Sequence, residues 1–182
     1  MYEKCPNAAR GLNWMFIAEI LAIVSIPLMF ILIGGLTALA GTVLSLVGLY
    51  TATHDDPGYF PALYAAVASL ILSFIVNVLD GGILRSLLSA VSTVLGLFIV
   101  YQVVTITRSL MGGRNPALDQ RGITVIKVYF GCTVISVVCA VLAVIPILNI
   151  IALVVGAVSE IVMVVGYVFY LMFLYGASKA LA

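Results

Sequence analysis

Between positions 12 and 177 the chain passes through six apolar stretches, at about 12–33, 36–53, 61–79, 83–110, 122–145 and 147–177, separated by short breaks of Gly, Pro and charge. A helix needs about 20 predominantly apolar residues to cross a hydrocarbon core of roughly 30 Å, and these stretches have that length. They are continuous rather than alternating and run to about twice the 9–11 residues of a barrel strand, which excludes a membrane β-barrel. Since lipid offers no partner to a free amide, each stretch is predicted to be helical. The fold class that follows is an all-α integral membrane protein, one polytopic domain over residues 1–182.

Composition points the same way. The 182 residues are 64% hydrophobic and 8% charged, against about 45–50% and about 25% in soluble domains. Six spans take about 120 residues and leave roughly 60 for tails and connections, too few for a soluble catalytic domain. A net charge of +1 with no basic run excludes nucleic acid as a partner. The lipid bilayer is the expected surrounding, with other membrane subunits or a second copy as the natural mode of association.

Lys4 and Arg10 precede the first apolar stretch, and Ala38-Leu39-Ala40 resembles a signal-peptidase site. Cleavage after Ala40 is not expected, because the stretch outruns a signal h-region and continues almost directly into a second one. Cys5, Cys132 and Cys139 form neither a CxxC pair nor a ligand cluster. No metal or other cofactor is called for.

The breaks alternate in kind. Gly34-Gly35, Asp80-Gly81-Gly82 and Ile145-Pro146 are tight and nearly uncharged, whereas 54–59 and 111–121 are polar loops. Three tight helical hairpins result. Pro27 offers a second place for the first turn; placing the turn at Gly34-Gly35 instead leaves Pro27 as a kink in a helix long enough to span. Lys4, Arg10, Arg108, Arg114, Arg121, Lys127 and Lys179 fall on or near the N-terminal side, against Arg85 alone on the other. Cytoplasmic loops are enriched in Lys and Arg, so both termini are expected in the cytoplasm of a cell-membrane protein.

The even-numbered helices share a stripe at steps of three, four and three, small at eleven of its twelve positions: Ala38, Gly41, Ser45, Gly48; Ser86, Ser89, Thr93, Gly96; and Gly156, Ser159, Met163, Gly166. With Arg10-Gly11-Leu12 echoed by Arg121-Gly122-Ile123, this suggests an internal threefold hairpin repeat. Such stripes let backbones approach where lipid supplies no drive to associate. The even helices are expected to pack through them, or else to leave room there for a solute.

An ionisable group deep in lipid costs about 2.5–3.5 kcal/mol even on permissive scales, so each one calls for a reason. Glu160, beside Ser159 near the middle of the sixth stretch, is the leading candidate for an intramembrane carboxylate at a solute, ion or proton site. Glu19 and Lys127 lie at similar depths and are expected to pair, or Lys127 to snorkel. Asp80 and Arg85 read as turn chemistry, and His54-Asp55-Asp56 as a solvated turn. Tyr59, Phe60, Tyr64, Trp14 and Tyr175 read as interfacial belts. No GxSxG elbow, phosphate loop or HExxH helix is present, so an enzyme is not expected.

Two functions remain. The chain handles a small solute or ion as a transporter or channel component; alternatively it is a scaffold or assembly subunit whose polar groups only hold helices together. Six helices in about 180 residues with cytoplasmic termini are similar in size and layout to the substrate-binding subunits of energy-coupling-factor vitamin transporters. The resemblance is one of architecture: that family's small-residue coupling pattern is not cleanly present in helix one, where Ala18 and Ala22 stand four apart with nothing further. The resemblance implies cytoplasmic ATPases and a transmembrane coupling subunit as partners.

Overall fold

A computed structural model describes residues 5–28, 34–79, 82–113, 115–142 and 146–182. They form six α-helices: α1 (Pro6–Leu28), α2 (Gly34–Ala52), α3 (Phe60–Val78), α4 (Gly82–Met111), α5 (Pro116–Leu142) and α6 (Pro146–Leu181). A single 3₁₀ turn, Pro57–Tyr59, leads into α3, and no strand occurs among the described residues. All six helices are long and apolar enough to cross a membrane. Bundling leaves large apolar side chains facing outward, among them Leu36, Ile161 and Val78, the last 83% exposed. A soluble monomer does not tolerate apolar surface on that scale, whereas a bilayer solvates it.

The helix ends carry their own reasons. Pro6 opens α1, where its missing N–H is no loss. The next free amide, Ala8 N–H, donates to Asp55 Oδ2 at 2.7 Å while Asn7 Nδ2 donates to Oδ1 at 2.7 Å. Asp55 therefore caps a helix distant in sequence, placing negative charge at its positive end. The solvated turn expected at His54-Asp55-Asp56 is instead a clamp joining the α2–α3 connection to α1, and Asp56 accepts from Gly58 N–H within the same loop. Between α4 and α5, Gly112 and Gly113 take φ of 52° and 75°, the left-handed region that ends a helix. Asn115 Oδ1 accepts from Leu118 N–H at 3.2 Å to begin α5, and Arg108 grips Asp119 with two bonds of 2.6 and 3.1 Å.

Gly34 and Gly35, expected to form the first turn, belong to the first turn of α2, where orphan amides make glycine inexpensive. Pro27 lies within the last turn of α1. The link itself, like Asp80-Gly81 and Ile145, lies outside the described residues.

The helices pack in chain order around a ring. α1 lies against α2, α3 against α4, and α5 against α6 most closely; α4 also meets α5, and α6 closes the ring on α1. The even helices do not converge: among the described residues α2 makes no extensive contact with α4 or α6. The small-residue stripe of α2 turns toward α1 instead. A Cβ on Gly48 would lie 2.7 Å from the carbonyl oxygen of Gly11, and one on Gly41 3.0 Å from that of Ala18. Ala18 is buried in this seam.

Packing is uneven along the bundle axis. Leu12, Leu49, Val103, Val125 and Phe173 are fully buried at the end that holds the N-terminus of α1, the C-terminus of α6 and the two polar loops. Tyr59 joins them, its hydroxyl 2.7 Å from Thr107 Oγ1, rather than sitting in an interfacial belt. Farther along the axis packing loosens, and a Cβ on Gly96, Gly131 or Gly156 would meet nothing within 4 Å. The bundle is filled at one end and hollow toward the other.

Replacing Asp55 by Ala should lower stability by about 2 kcal/mol, because it strips charge-assisted bonds from α1; reversible unfolding in mixed micelles would measure this, and an unchanged midpoint would refute the clamp. In the same assay Gly48→Leu should cost about 3 kcal/mol or more by forcing α1 and α2 apart.

Candidate functional site

The hollow part of the bundle contains a cavity of about 380 Å³ to which every helix contributes. Met15 and Glu19 come from α1, Ser45 from α2, Ala66 from α3, Thr93 and Gly96 from α4, Tyr129 and Thr133 from α5, and Met163, Tyr167 and Tyr170 from α6. The local sequence explains the space. Gly96 and Ala66 supply almost no volume, while Tyr129 and Tyr170, ring centroids 6.0 Å apart and nearly edge-on, floor the cavity toward the filled end. Glu19 stands 13 residues from the start of α1 and 9 from its described end, so its carboxylate lies at mid-depth.

Tyr167 is the partner of Glu19. Its hydroxyl donates to the carboxylate and also lies 3.0 Å from the Glu19 carbonyl oxygen, tying α6 to α1 across 148 residues of sequence. Lys127 is not that partner, and no Glu19–Lys127 ion pair occurs among the described residues. The helix period gives the reason: Lys127 precedes Tyr129 by two residues, a rotation of about 200°, so when Tyr129 faces the cavity Lys127 faces away. It is exposed and lines a separate, apolar cavity of about 370 Å³ between α5 and α6.

Glu160 and Ser159, adjacent in sequence, part company for the same reason. Ser159 is buried against α5, where its carbonyl oxygen accepts from Cys132 Sγ at 3.7 Å and its hydroxyl has no partner. Glu160 is exposed and lines another cavity, of about 420 Å³, with Arg85, Ser86 and Ser89 of α4 and Ser136 of α5. Glu160 and Arg85 approach no closer than 4.0 Å. Thr93 and Met163 border both this cavity and the central one, so the two adjoin.

The stripes divide by role. In α2, Gly41 and Gly48 are packing surfaces; on α6, Gly166 is another, a Cβ there meeting Val128 at 2.6 Å. Ser86, Ser89, Thr93, Gly96 and Ser45 border cavities, and Gly156 opens on space. Ala38 lines a smaller groove of about 280 Å³ between α1 and α2 that reaches Glu19 and Ser45.

Sequence reasoning missed Tyr129, Thr133, Tyr167 and Tyr170. A signal for two of them exists: the α6 stripe continues from Met163 to Tyr167 and Tyr170 in steps of four and three, passing from small residues to aromatic ones on one face. Chemically the arrangement is a carboxylate among hydroxyl groups and rings, suited to binding a cation or proton. Comparison with protein-family models, curated proteins and solved structures finds no match to this chain, so the architectural likeness to vitamin-transporter subunits carries no family assignment.

A double-mutant cycle between Glu19→Ala and Tyr167→Phe should give a coupling of about 1 kcal/mol, within the range of membrane hydrogen bonds. The cycle with Lys127→Ala should be additive to within about 0.5 kcal/mol. Coupling to Lys127 in place of Tyr167 would overturn the assignment.

Proposed function

We propose that this chain is a multi-pass protein of the cell membrane that handles a small solute in the central chamber, as a transporter or channel component. The observation that carries this reading is the chamber itself: all six helices wall it, and a carboxylate stands at mid-depth within it. A bundle whose polar groups served only as helix glue would have no use for a shared void. In this reading Glu19 is the chamber carboxylate, while Glu160 and Arg85 belong to the adjoining cavity through which a solute reaches it. The chain is not an enzyme.

The close packing of α1 on α2, α3 on α4 and α5 on α6 supports a plan of three hairpins related as an internal repeat. Arg10, Arg108, Arg121 and Lys179 gather at the filled end with the start of α1 and the end of α6. By the enrichment of Lys and Arg in cytoplasmic loops, that end faces the cytoplasm and the hollow end faces outward. The outward apolar faces, such as Ile71, Phe74 and Val78 of α3, favour a second reading, an assembly subunit whose helices meet other subunits or a second copy.

Gly96→Leu separates the two. Its side chain would enter the chamber without meeting a neighbour at Cβ, so the fold should survive. Native mass spectrometry from gently extracted membranes should show a small molecule on the wild type and its loss from Gly96→Leu. Equal spectra, with stoichiometric partner chains retained in both, would favour assembly instead.

A further inference from the structure

We propose that the chamber is selective for an organic monocation: a molecule with one ammonium head, seated between Glu19 and the tyrosines Tyr129, Tyr167 and Tyr170, and an apolar body lying along the rest of the wall. This rests on the solute-handling reading above and names the class of solute.

Charge is the first argument. Glu19 is the sole ionisable acid or base in the chamber wall apart from the tyrosines. Two basic groups border other cavities: Arg85 the adjoining one and Lys127 the apolar one between α5 and α6. In its ionised form Glu19, with no protein cation beside it in the wall, repels an anion and gains no compensation from a neutral solute. A cation supplies what the wall lacks.

The wall also distinguishes one kind of cation from another. A hard metal ion such as calcium takes about six to eight oxygen ligands. The chamber offers one acidic side chain, scattered hydroxyls, and apolar groups such as Met15, Leu97 and Val100. Three tyrosine rings near a carboxylate suit an alkylammonium head, whose charge is attracted to aromatic faces. A volume of about 380 Å³ far exceeds a bare ion and lies at the small end of the range of about 300–1,000 Å³ for small-molecule sites.

A second feature of the wall is a polar group left without a partner. Thr133 borders the chamber, is only 3% exposed, and its hydroxyl has no hydrogen-bond partner. A buried hydroxyl left unpaired is costly, and a shift of the wall on binding that brought Thr133 Oγ1 within reach of an ammonium would satisfy it.

The test uses the full chain in lipid nanodiscs at neutral pH, titrated calorimetrically with benzylamine, benzyl alcohol and benzoate, which share a body and differ in charge. Benzylammonium should bind about tenfold or more tightly than the alcohol, and benzoate not at all. Glu19→Gln should bring the amine down to the alcohol's affinity. Tyr129→Leu, which leaves the carboxylate in place, should weaken the amine more than the alcohol, so the idea remains testable if the Glu19 variant fails to fold. Alcohol or benzoate binding as well as the amine would overturn the cation assignment while leaving a solute chamber. Binding by none of the three would overturn it too; a small molecule retained in native mass spectra would then preserve the solute reading, and its absence would end both.

Discussion

The seam between α1 and α2 is the contact on which the rest of the bundle depends. Helices in lipid gain nothing from hiding apolar surface, so association relies on close packing and on polar bonds between helices. Gly11 and Gly48 allow the two backbones to meet with no side chain between them, and Gly41 against Ala18 extends the seam one helical repeat at a time. Asp55 then pins the N-terminus of α1 to the loop that follows α2. With α1 held, Glu19 is presented inward to Tyr167, and that bond draws α6 against α1 to complete the ring.

Side-chain volume decides where the ring is solid. Tyr59, Tyr170 and Phe173 fill the end that carries both polar loops, whereas Gly96 and Gly131 at mid-helix and Gly156 beyond them face open space. A bilayer tolerates that imbalance because lipid, rather than water, covers the outward apolar faces. The same imbalance leaves adjoining cavities, one bordered by Glu19 and the other by Glu160.

Spans were legible in the sequence because run length and the demand for paired amides leave one solution. Helix ends were less so: α1 starts at Pro6 rather than at position 12 because its cap, Asp55, is supplied from a loop 47 residues away from Ala8. The acids stood out by their cost in hydrocarbon, but their partners depended on helix rotation. Two residues' difference turns Lys127 away from Glu19's chamber, and one residue's difference separates Ser159 from Glu160. Tyr59 resembled an interfacial anchor by position and is buried instead, because the α2–α3 loop folds it onto Thr107. The stripes were visible as a pattern, but spacing alone does not say whether a small residue admits a neighbouring helix, as Gly48 does, or leaves a void, as Gly96 does.

Thiol labelling in intact membranes tests the chamber most directly. With Cys5, Cys132 and Cys139 replaced by Ala, single cysteines are introduced at Ser45 and Thr93, which border the chamber, and at Val43 and Val94, which face outward at 50% and 47% exposure. A polar chamber open to solutes requires that a small aqueous methanethiosulfonate cation modify Ser45→Cys and Thr93→Cys while Val43→Cys and Val94→Cys stay unmodified in lipid. Labelling of the outward pair alone, or of none of the four under conditions that modify a loop cysteine, would contradict the chamber and leave a bundle held together only for assembly.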